Sequence, residues 1–506
     1  MRALILEHPR PPSPERFNDI ANTPLSSCLM AGYASSSLAE AGFETPILDA
    51  RRLDFARVEQ LILDERPSVL LVHAVYFWER TGELFDSLAR LKQAGLTAPV
   101  CLFGFFPSLG WSELLTACPA IDYVVVGEPE RTLVELMTAL RDGRDAGVPG
   151  LARRGGGLPI LTAPRAPRNN LDLLPFPARP FLKQEKTVSV QASRGCYNGC
   201  DFCLVPALGG GGNPWRGRSV DNVAREIALL RDQGKRDFYF VDANFIGPGR
   251  RGTDRTLMLA QALAGTAITF GMECRAADAR PELMQALARV GLSSLLLGLE
   301  SGSQAALNRM GKNSTPTQNL AAIDAARSAG LEPEVGFIMF EPDATLEDLA
   351  ANLAFLRRAR LLDRLGRTAN LLHHHQIALM GTRLYARTLA EGRLAPEGPL
   401  GFHGRLVYRN PRVAWLAGAM RGLCLRVLKA MGEPDSGLHW RREAAREPYV
   451  TINALLIEQF ERLLALSQSW AAEPATCQAV SALAQCQGEI EGALARSRPG
   501  EAAAYM

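Results

Sequence analysis

The chain has 506 residues, too many for a single hydrophobic core, and we expect about three domains. Hydrophobic residues make up 47% of the chain and charged residues 22%, an ordinary balance for a globular protein. The formal net charge of +3 favours neither a nucleic-acid partner nor a membrane surface. No apolar run is long enough for a signal peptide or a membrane span, and we therefore expect a cytoplasmic protein.

Residues 1–150 alternate short apolar runs with stretches of helical period. The predicted strands are Ala3–Leu6, Pro46–Leu48, Val69–Val72, Val100–Phe103 and Tyr123–Val126. The predicted helices are Leu25–Ala41, Phe55–Glu65, Leu84–Ala94 and Thr132–Leu140. This alternation predicts an α/β fold with a parallel, doubly wound, Rossmann-like sheet, whose ligand lies beyond the carboxyl ends of the strands. A Gly-x-Gly-x-x-Gly phosphate loop is absent, which disfavours a nicotinamide or flavin dinucleotide.

The composition changes after this first region. Residues 151–184 combine a Gly-Gly-Gly run with repeated prolines, which predicts a linker. The alternation resumes over residues 185–395, with predicted strands at Val188–Val190, Phe238–Val241, Ile268–Phe270, Leu295–Leu299, Val335–Phe340 and Leu371–Leu379. Six such units predict a partial β/α barrel of the TIM type, in which the chemistry takes place at the carboxyl ends of the strands.

Residues 396–506 are predicted to form a helical C-terminal domain. Apolar residues recur with helical period over Val413–Met431 and Ile452–Leu466, and Cys477–Arg496 is rich in alanine. The segment from residue 405 to residue 446 is also basic. Such charges either favour an anionic substrate or form the solvated face of amphipathic helices, and the sequence leaves both interpretations open.

Three of the ten cysteines are clustered, at Cys196, Cys200 and Cys203. Their spacing lets three thiolates from one loop wrap one face of a cubane [4Fe–4S] cluster, and the next cysteine is the distant Cys274. One iron then has no protein ligand, which is typical of a catalytic site that admits substrate. The alternative is a structural zinc site that takes Cys274 or a distant histidine as its fourth ligand.

This Cys-x-x-x-Cys-x-x-Cys loop, at the end of the first barrel strand, resembles the signature of radical S-adenosylmethionine (SAM) enzymes. The resemblance implies that SAM binds the open iron and is cleaved to a 5′-deoxyadenosyl radical, with an electron donor such as flavodoxin or ferredoxin. It also implies SAM contacts at the strand ends, by Phe202, Asp242, Asn244, Arg275, Glu300 and Ser301. Structural roles stay open for these residues: Glu300 could cap the following helix, and Arg275 could form an ion pair.

The first 150 residues, placed before such a barrel, resemble the cobalamin-binding domain of the B12-dependent branch of the same superfamily. The matching segments are Pro24–Ser26, Leu48–Ala50, Ile121–Glu130 and Leu171–Pro177. The resemblance implies cobalamin as a cofactor, contacted by Tyr76, Gly104, Gly127 and Glu128.

The sequence also bears on the environment of the cobalt's lower face. The Asp-x-His-x-x-Gly motif of proteins that ligate cobalt through histidine is absent. The lower face is therefore expected to see water, a blocking side chain or nothing. Two alternatives stay open: His73 ligates cobalt, or the aromatic residues 76–78 plug a domain that holds no cofactor.

The resemblance favours methyl transfer to a carbon of a small molecule or of a natural-product or peptide intermediate. The first alternative is an oxidative cyclisation or rearrangement of a tetrapyrrole-like substrate. The second is transfer of another SAM fragment, such as aminocarboxypropyl. Methylthiotransferases carry additional cluster cysteines in their N-terminal domain, and Cys28, Cys101 and Cys118 are spaced wrongly for that group.

Candidates for substrate chemistry lie on and just after the sixth predicted strand. They are His373, His375 and Tyr385. Alternation along a strand would put both histidines on one face, and histidine suits proton transfer near neutral pH. A structural role in the core or on the surface is the alternative for each histidine.

Overall fold

A computed structural model describes residues 1–10, 29–144, 147–208, 214–433 and 447–497 of the chain. Several predicted features lie outside the described residues: Pro24–Ser26, the start of the first helix, Cys28 and part of the basic segment. Within the described ranges, no helix is both long enough and apolar enough to cross a membrane.

The first sheet has seven strands in the order β2-β1-β3-β4-β5-β6-β7. They are β1 (Ala3–Glu7), β2 (Ile47–Asp49), β3 (Val69–His73), β4 (Val100–Phe103), β5 (Tyr123–Val125), β6 (Leu151–Gly155) and β7 (Leu158–Leu161). The first five strands are parallel, as the sequence predicts, and β6 and β7 are antiparallel. The predicted linker therefore begins with two strands of this sheet, joined by a turn in which Gly156 and Gly157 have positive φ.

Helices cover both faces of the first sheet. They are α1 (Leu29–Glu40), α2 (Phe55–Glu65), α3 (Thr81–Gln93), α4 (Phe105–Leu109), α5 (Trp111–Ala117) and α6 (Pro129–Arg141). Alternate residues of each strand enter different cores: Leu4 and Leu6 pack on one face of the sheet, and Ala3 and Ile5 pack on the other. Burial on both faces explains why these strands are continuous apolar runs.

The second sheet is also parallel, in the order β14-β13-β12-β11-β8. This part of the chain contains β8 (Thr187–Val190), β9 (Ser193–Arg194), β10 (Arg216–Gly217), β11 (Asp237–Phe240), β12 (Thr269–Arg275), β13 (Leu292–Glu300) and β14 (Glu334–Phe337). Strands β9 and β10 pair with each other as a short antiparallel ribbon outside the sheet. The fold is thus the predicted α/β arrangement of a doubly wound sheet followed by a partial barrel.

The helices of the second unit follow its strands. They are α7 (Leu204–Ala207), α8 (Val220–Asp232), α9 (Gly249–Leu263), α10 (Pro281–Arg289), α11 (Gln304–Arg309), α12 (Pro316–Ser328), α13 (Leu346–Arg358), α14 (Leu365–His373) and α15 (Arg383–Ala390). Several of these helices have an N-cap side chain that accepts a hydrogen bond from the first turn. Thr315 and Thr345, for example, each form a capping box at the start of α12 and α13.

The prediction of a sixth strand over Leu371–Leu379 is wrong for most of its length. Residues up to His373 belong to α14, and the parallel pairing that remains is a bridge between Phe340 and His375. Leu371 and Leu372 are buried in the same core as helices from the end of the chain. This packing of distant segments holds a short apolar run in a helix.

The C-terminal region is helical, as predicted, with α16 (Pro411–Gly432), α17 (Glu447–Ser469) and α18 (Thr476–Arg496). These helices share one continuous core with the barrel. The structure differs from the expectation just before them, where β15 (Ala378–Leu379), β16 (Leu394–Glu397) and β17 (His403–Leu406) form a three-stranded antiparallel sheet.

Candidate functional site

The cysteine loop leaves β9 and ends at α7. Asn198 lies between the first two cysteines, and its Nδ2 donates to the carbonyl oxygens of Gly311 and Lys312 at 3.1 and 3.0 Å. The same nitrogen is 3.1 Å from the Sγ of Cys200. Further along the loop, the amide of Asp201 donates to the carbonyl of Met310 at 3.0 Å. The segment that follows α11 therefore holds the loop from one side.

The three loop cysteines have free, partly exposed thiols. Burial raises the pKa of Cys203 to about 12, and burial also raises the pKa of Cys200, although the nearby Lys312 opposes this. Three free thiols on one loop, with an N–H donor and a cation beside Cys200, fit the ligand set of an iron–sulfur cluster.

The geometry gives no support to the zinc alternative. Within the part of the chain that the structure describes, no three His, Cys, Asp or Glu side chains converge as the ligands of one metal ion do. Ligands of a cubane cluster need not converge in this way, because each thiolate binds a different iron. Cys274 is buried in the barrel core, as a packed thiol would be.

Arg275, at the end of β12, holds the cysteine loop in place. Its Nη2 donates to the carbonyls of Lys312 and Asn313 at 2.8 and 3.3 Å, and its guanidinium lies 4.7 Å from the centre of the Tyr197 ring. The Tyr197 hydroxyl donates to Asp278 at 2.6 Å. These contacts describe a positioning role for Arg275.

Asn244 belongs to the same group of contacts at the barrel mouth. Its Nδ2 donates to Asp278 at 3.0 Å, so that Asn244 and Tyr197 share one carboxylate. Asn244 is fully buried in the chain as described. It is therefore part of the support of the cysteine loop.

Glu300, the last residue of β13, forms a buried ion pair with Lys312, whose Nζ lies 2.7 Å from Oε1. The φ of Glu300 is +66°, an uncommon conformation for a residue with a side chain. A Cβ on the neighbouring Gly298 would come within 2.9 Å of both charged groups, so only glycine leaves them room. The barrel mouth thus presents a cation and a carboxylate side by side.

Asp242 and Ser301 have local partners. The Asp242 carboxylate is buried and accepts from the amide of Ala192 at 3.0 Å and from the hydroxyl of Ser193, and burial raises its pKa to about 6. Ser301 is also buried, and its hydroxyl donates to Asn352 at 2.6 Å. Both side chains support the loops that carry the site.

Phe202, which is part of the cysteine loop, packs near Tyr385. Phe202 packs against two small apolar clusters, one of which contains Tyr385. The Tyr385 hydroxyl donates to the carbonyl of Gly401 at 2.7 Å. Tyr385 therefore contacts the turn between β16 and β17.

The two candidate histidines do not share a face, because the strand that would align them is not formed. His373 is buried at the end of α14, its Nδ1 is 2.7 Å from the carbonyl of Ala369, and burial lowers its pKa to about 4. His375 lies beyond the helix, with its Nδ1 3.0 Å from Nη1 of Arg421 in α16. Neither contact is with the cysteine loop.

The carboxyl edge of the first sheet is closed at the ends of β3 and β4. The Tyr76 hydroxyl is hydrogen-bonded to Nδ1 of His403 in β17, and the Tyr76 ring packs against Phe106 and Phe402. Gly104 has a φ of +132°, and a Cβ there would meet the carbonyl of Ala74 at 2.8 Å. Gly104 thus lets the loops after β3 and β4 approach each other closely.

His73 is held within the first sheet. Its Nδ1 lies 2.9 Å from Oε1 of Glu7, and both side chains are buried. Its ring packs on Phe103, with the two ring centres 5.4 Å apart. Burial alone would raise the pKa of Glu7, but His73 and Arg10 outweigh it and hold that pKa at about 2. These contacts give His73 a structural role.

The edge is open at Gly127, where none of the residues that the structure describes comes within 4 Å of an added Cβ and φ is +97°. Two neighbouring acidic residues form ion pairs with the β9–β10 ribbon, and we call this contact between the first sheet and the ribbon the seam. Glu128 pairs with Arg216 at 2.8 Å, and Glu130 pairs with Arg194 at 2.6 Å. Because Arg194 lies just before Cys196, the first sheet is joined directly to the segment that enters the cysteine loop.

Sequence reasoning missed several residues of the site. Asn198 had a signal, since it is a polar side chain between two clustered cysteines. Nothing in the sequence pointed to Lys312 or His403, because each contacts its partner only after distant segments of the chain have folded together. Arg194 is next to the motif, but its partner is identified only by the packing of the two sheets.

Comparison with known proteins agrees with this arrangement. The sequence model of the radical SAM superfamily matches residues 190–356. An uncharacterised methyltransferase of Pyrococcus horikoshii is 28% identical over 372 residues, which cover 71% of this chain and 78% of that protein. The anaerobic magnesium-protoporphyrin IX monomethyl ester cyclase of Synechocystis is 26% identical over 340 residues, which cover 65% and 66%.

A solved structure extends the likeness to nearly the whole chain. The cobalamin-dependent SAM radical enzyme OxsB, with aqua-cobalamin and SAM bound, superposes with a TM-score of 0.76 at 18% identity, covering 98% of this chain and 80% of OxsB. Residues 190–356, which contain the three clustered cysteines, are a radical SAM domain, and such domains bind a [4Fe–4S] cluster and SAM. The predicted resemblance is confirmed: the chain contains a radical SAM domain and has the overall fold of OxsB.

Proposed function

We propose that this protein is a cobalamin-dependent radical SAM methyltransferase that acts on a carbon of a small molecule or peptide. The observation that carries the proposal is the seam between the two sheets. Glu128 and Glu130, beyond the carboxyl end of β5, pair with Arg216 and Arg194 beside the cysteine loop. In a doubly wound sheet and in a β/α barrel alike, the ligand lies at the carboxyl ends of the strands, so two cofactors would meet across this seam.

The residues at the cysteine loop suit an iron–sulfur cluster with SAM, and the residues at the carboxyl edge of the first sheet suit cobalamin. Cys196, Cys200 and Cys203 would hold three irons, and the open edge at Gly127 would border the corrin. When bound, SAM supplies the methyl group and the radical precursor, and cobalamin carries the methyl group. Lys312 and Glu300 offer a cation and a carboxylate that complement the carboxylate and ammonium of an amino acid moiety.

The chain itself contributes positioning. Asn198 and Arg275 fix the cysteine loop against residues 311–313, and the seam ion pairs fix the first sheet against the same loop. A substrate carbon between the two edges is then held near both reactants, which makes the transfer nearly unimolecular. A flavodoxin- or ferredoxin-like electron donor stays a prediction.

The experiment follows the methyl group. Anaerobically reconstituted enzyme is incubated with cobalamin, a reductant and SAM labelled in the methyl group, and the corrin, the SAM products and the organic product are separated. We expect S-adenosylhomocysteine together with label in the corrin or the product. Product that forms without label, with all of the label left in methionine or methylthioadenosine and none in the corrin, would contradict methyl transfer.

Cyclisation is the second candidate, and the similarity to the cyclase of Synechocystis favours it. The same labelling experiment separates the two reactions, because a cyclase consumes SAM without moving its methyl group to the substrate. Magnesium-protoporphyrin IX monomethyl ester is the probe for this arm. Conversion of the probe with all label left in methionine would replace the methyltransferase proposal.

A further inference from the structure

The seam contains a cavity of about 380 Å³ next to the open edge at Gly127. Its walls include Arg131 at the start of α6, Arg165 and Arg168 from the segment after β7, and Leu208 shortly after Cys203. The volume is in the range of small-molecule sites. The cavity therefore lies between the first sheet, its following segment and the chain that leaves the cysteine loop.

The acidic residues of the cavity are already neutralised. Glu128 pairs with Arg216 and Glu130 pairs with Arg194, at 2.8 and 2.6 Å. Arg165 pairs with Glu135, which also accepts from Arg131 at 2.8 Å. The walls of the cavity and their ion-pair partners together contain five arginines and three glutamates, so their net charge is positive.

Arg168 is the least compensated of these arginines. Its amide donates to Oε2 of Glu128 at 3.0 Å, and its carbonyl accepts from Nη1 of Arg216 at 2.8 Å, so its backbone is fixed from both sides. Among the described residues, its guanidinium takes part in no hydrogen bond or ion pair. The amino end of α6, whose dipole favours an anion, borders the same cavity.

We propose that this cavity binds a phosphate-bearing ligand, with Arg168 as its principal charged contact. A guanidinium offers paired N–H donors that match phosphate oxygens. The phosphate belongs either to the substrate or to the nucleotide arm of a corrinoid. The second source rests on the proposed cobalamin dependence, and the first does not.

The first arm of the test measures binding of inorganic pyrophosphate by calorimetry to the reconstituted enzyme. Arg168→Gln should weaken binding about tenfold, the effect of losing one charge-assisted hydrogen bond. The variant keeps the backbone contacts, so its melting temperature should not change. Arg250→Gln is the matched control, because Arg250 is a fully exposed arginine on α9 and should bind pyrophosphate like the wild type.

The second arm compares aquacobalamin with dicyanocobinamide, which lacks the nucleotide phosphate. If Arg168→Gln weakens only aquacobalamin binding, the phosphate is that of the corrinoid. If it weakens pyrophosphate binding and leaves both corrinoids unchanged, the phosphate is that of the substrate. Unchanged binding of pyrophosphate and aquacobalamin in Arg168→Gln would overturn the proposal. Failure of the wild type to bind either corrinoid would instead contradict the cobalamin proposal.

Discussion

Single residues, one inside the cysteine motif and others far from it, determine how its loop is held. Asn198 reaches one thiol and two backbone carbonyls, and Arg275 reaches the same backbone from the end of β12. The carbonyl of Lys312 accepts from both side chains. The loop is therefore held by a segment more than a hundred residues away in sequence.

The first prediction concerns the cysteines. Cys200→Ala should abolish the four-iron cluster, because a lost thiolate exposes a second iron in addition to the open one. Iron and sulfide analysis after anaerobic reconstitution measures this. Cys274→Ala is the control and should keep its iron, since Cys274 is a buried thiol of the core. Full iron in the first variant, or lost iron in the second, would show that the ligands are assigned wrongly.

Asn198 should tune the cluster as well as hold the loop. A hydrogen bond from its Nδ2 to Sγ of Cys200 favours the more negatively charged, reduced state. Asn198→Leu should therefore lower the reduction potential, measured by a redox titration followed by electron spin resonance. Asn198→Gln should recover part of the shift. An unchanged potential in an Asn198→Leu protein that still holds four irons is the opposing result.

At the level of elements, the parallel strands of the two main sheets were predicted well, and the antiparallel strands β6, β7 and β15 to β17 were not. β1 and β3 are continuous apolar runs because each face has its own core. β6 was missed because Arg153 and Arg154 interrupt its apolar character. The apolar run at Leu371–Leu379 is compatible with either a strand or a buried helix, although the sequence alone predicts a strand. Packing against the C-terminal helices makes its first part a helix.

The candidate site divides in the same way. Spacing alone identified the three cysteines, since all of them lie on one loop. The pairing of Glu300 with Lys312 and of Tyr76 with His403 depends on tertiary contacts that no local pattern encodes. Local chemistry was therefore predictable, and the support around it was not.

The ends of β1 and β3 should make the first domain sensitive to acid. Burial lowers the pKa of His8 to about 3; its Nε2 accepts from the amide of Val75 at 3.2 Å, and Arg10, Glu7 and His73 surround it. Because the pKa is lower in the folded state, the unfolded state binds more protons below pH ~6.5. Stability should fall by about 1 kcal/mol per pH unit from there towards pH ~4.

His8→Gln removes this titration and can still accept the hydrogen bond from Val75. Its melting temperature should depend less steeply on pH between 6 and 4 than that of the wild type, and differential scanning fluorimetry measures the two slopes. Equal slopes would mean that His8 does not contribute. Glu7 adds to the slope only near the lower end of this window, because its carboxyl titrates near 4.5 in the unfolded state and its pKa is held at about 2 in the folded state.

Across the whole molecule, the seam depends on a few buried ion pairs. The Glu130 and Arg194 side chains are 5% and 12% exposed, and without Glu130 the poorly solvated Arg194 keeps only the more distant Glu128, at 3.6 Å. Glu130→Gln should lower the free energy of unfolding by ~3 kcal/mol. Urea denaturation followed by tryptophan fluorescence measures the loss.

The control for this prediction is Arg250→Gln, which breaks an exposed pair and should leave the unfolding midpoint unchanged. The double variant Glu130→Gln with Arg194→Gln should recover part of the loss, because no unpaired charge then remains. If the single variant is as stable as the wild type, the seam is held by apolar contacts and not by this pair.

The contact of Tyr76 with Phe402 and His403 has a consequence for how the chain is made. Tyr76, Trp78 and Phe106 leave the ribosome early, but their cover comes from residues about three hundred positions later. Until then the nascent first domain shows an aromatic patch of the kind that attracts chaperones or other unfinished chains. A fragment that stops at residue 184 keeps that patch permanently, so it should aggregate even though its own sheet is complete.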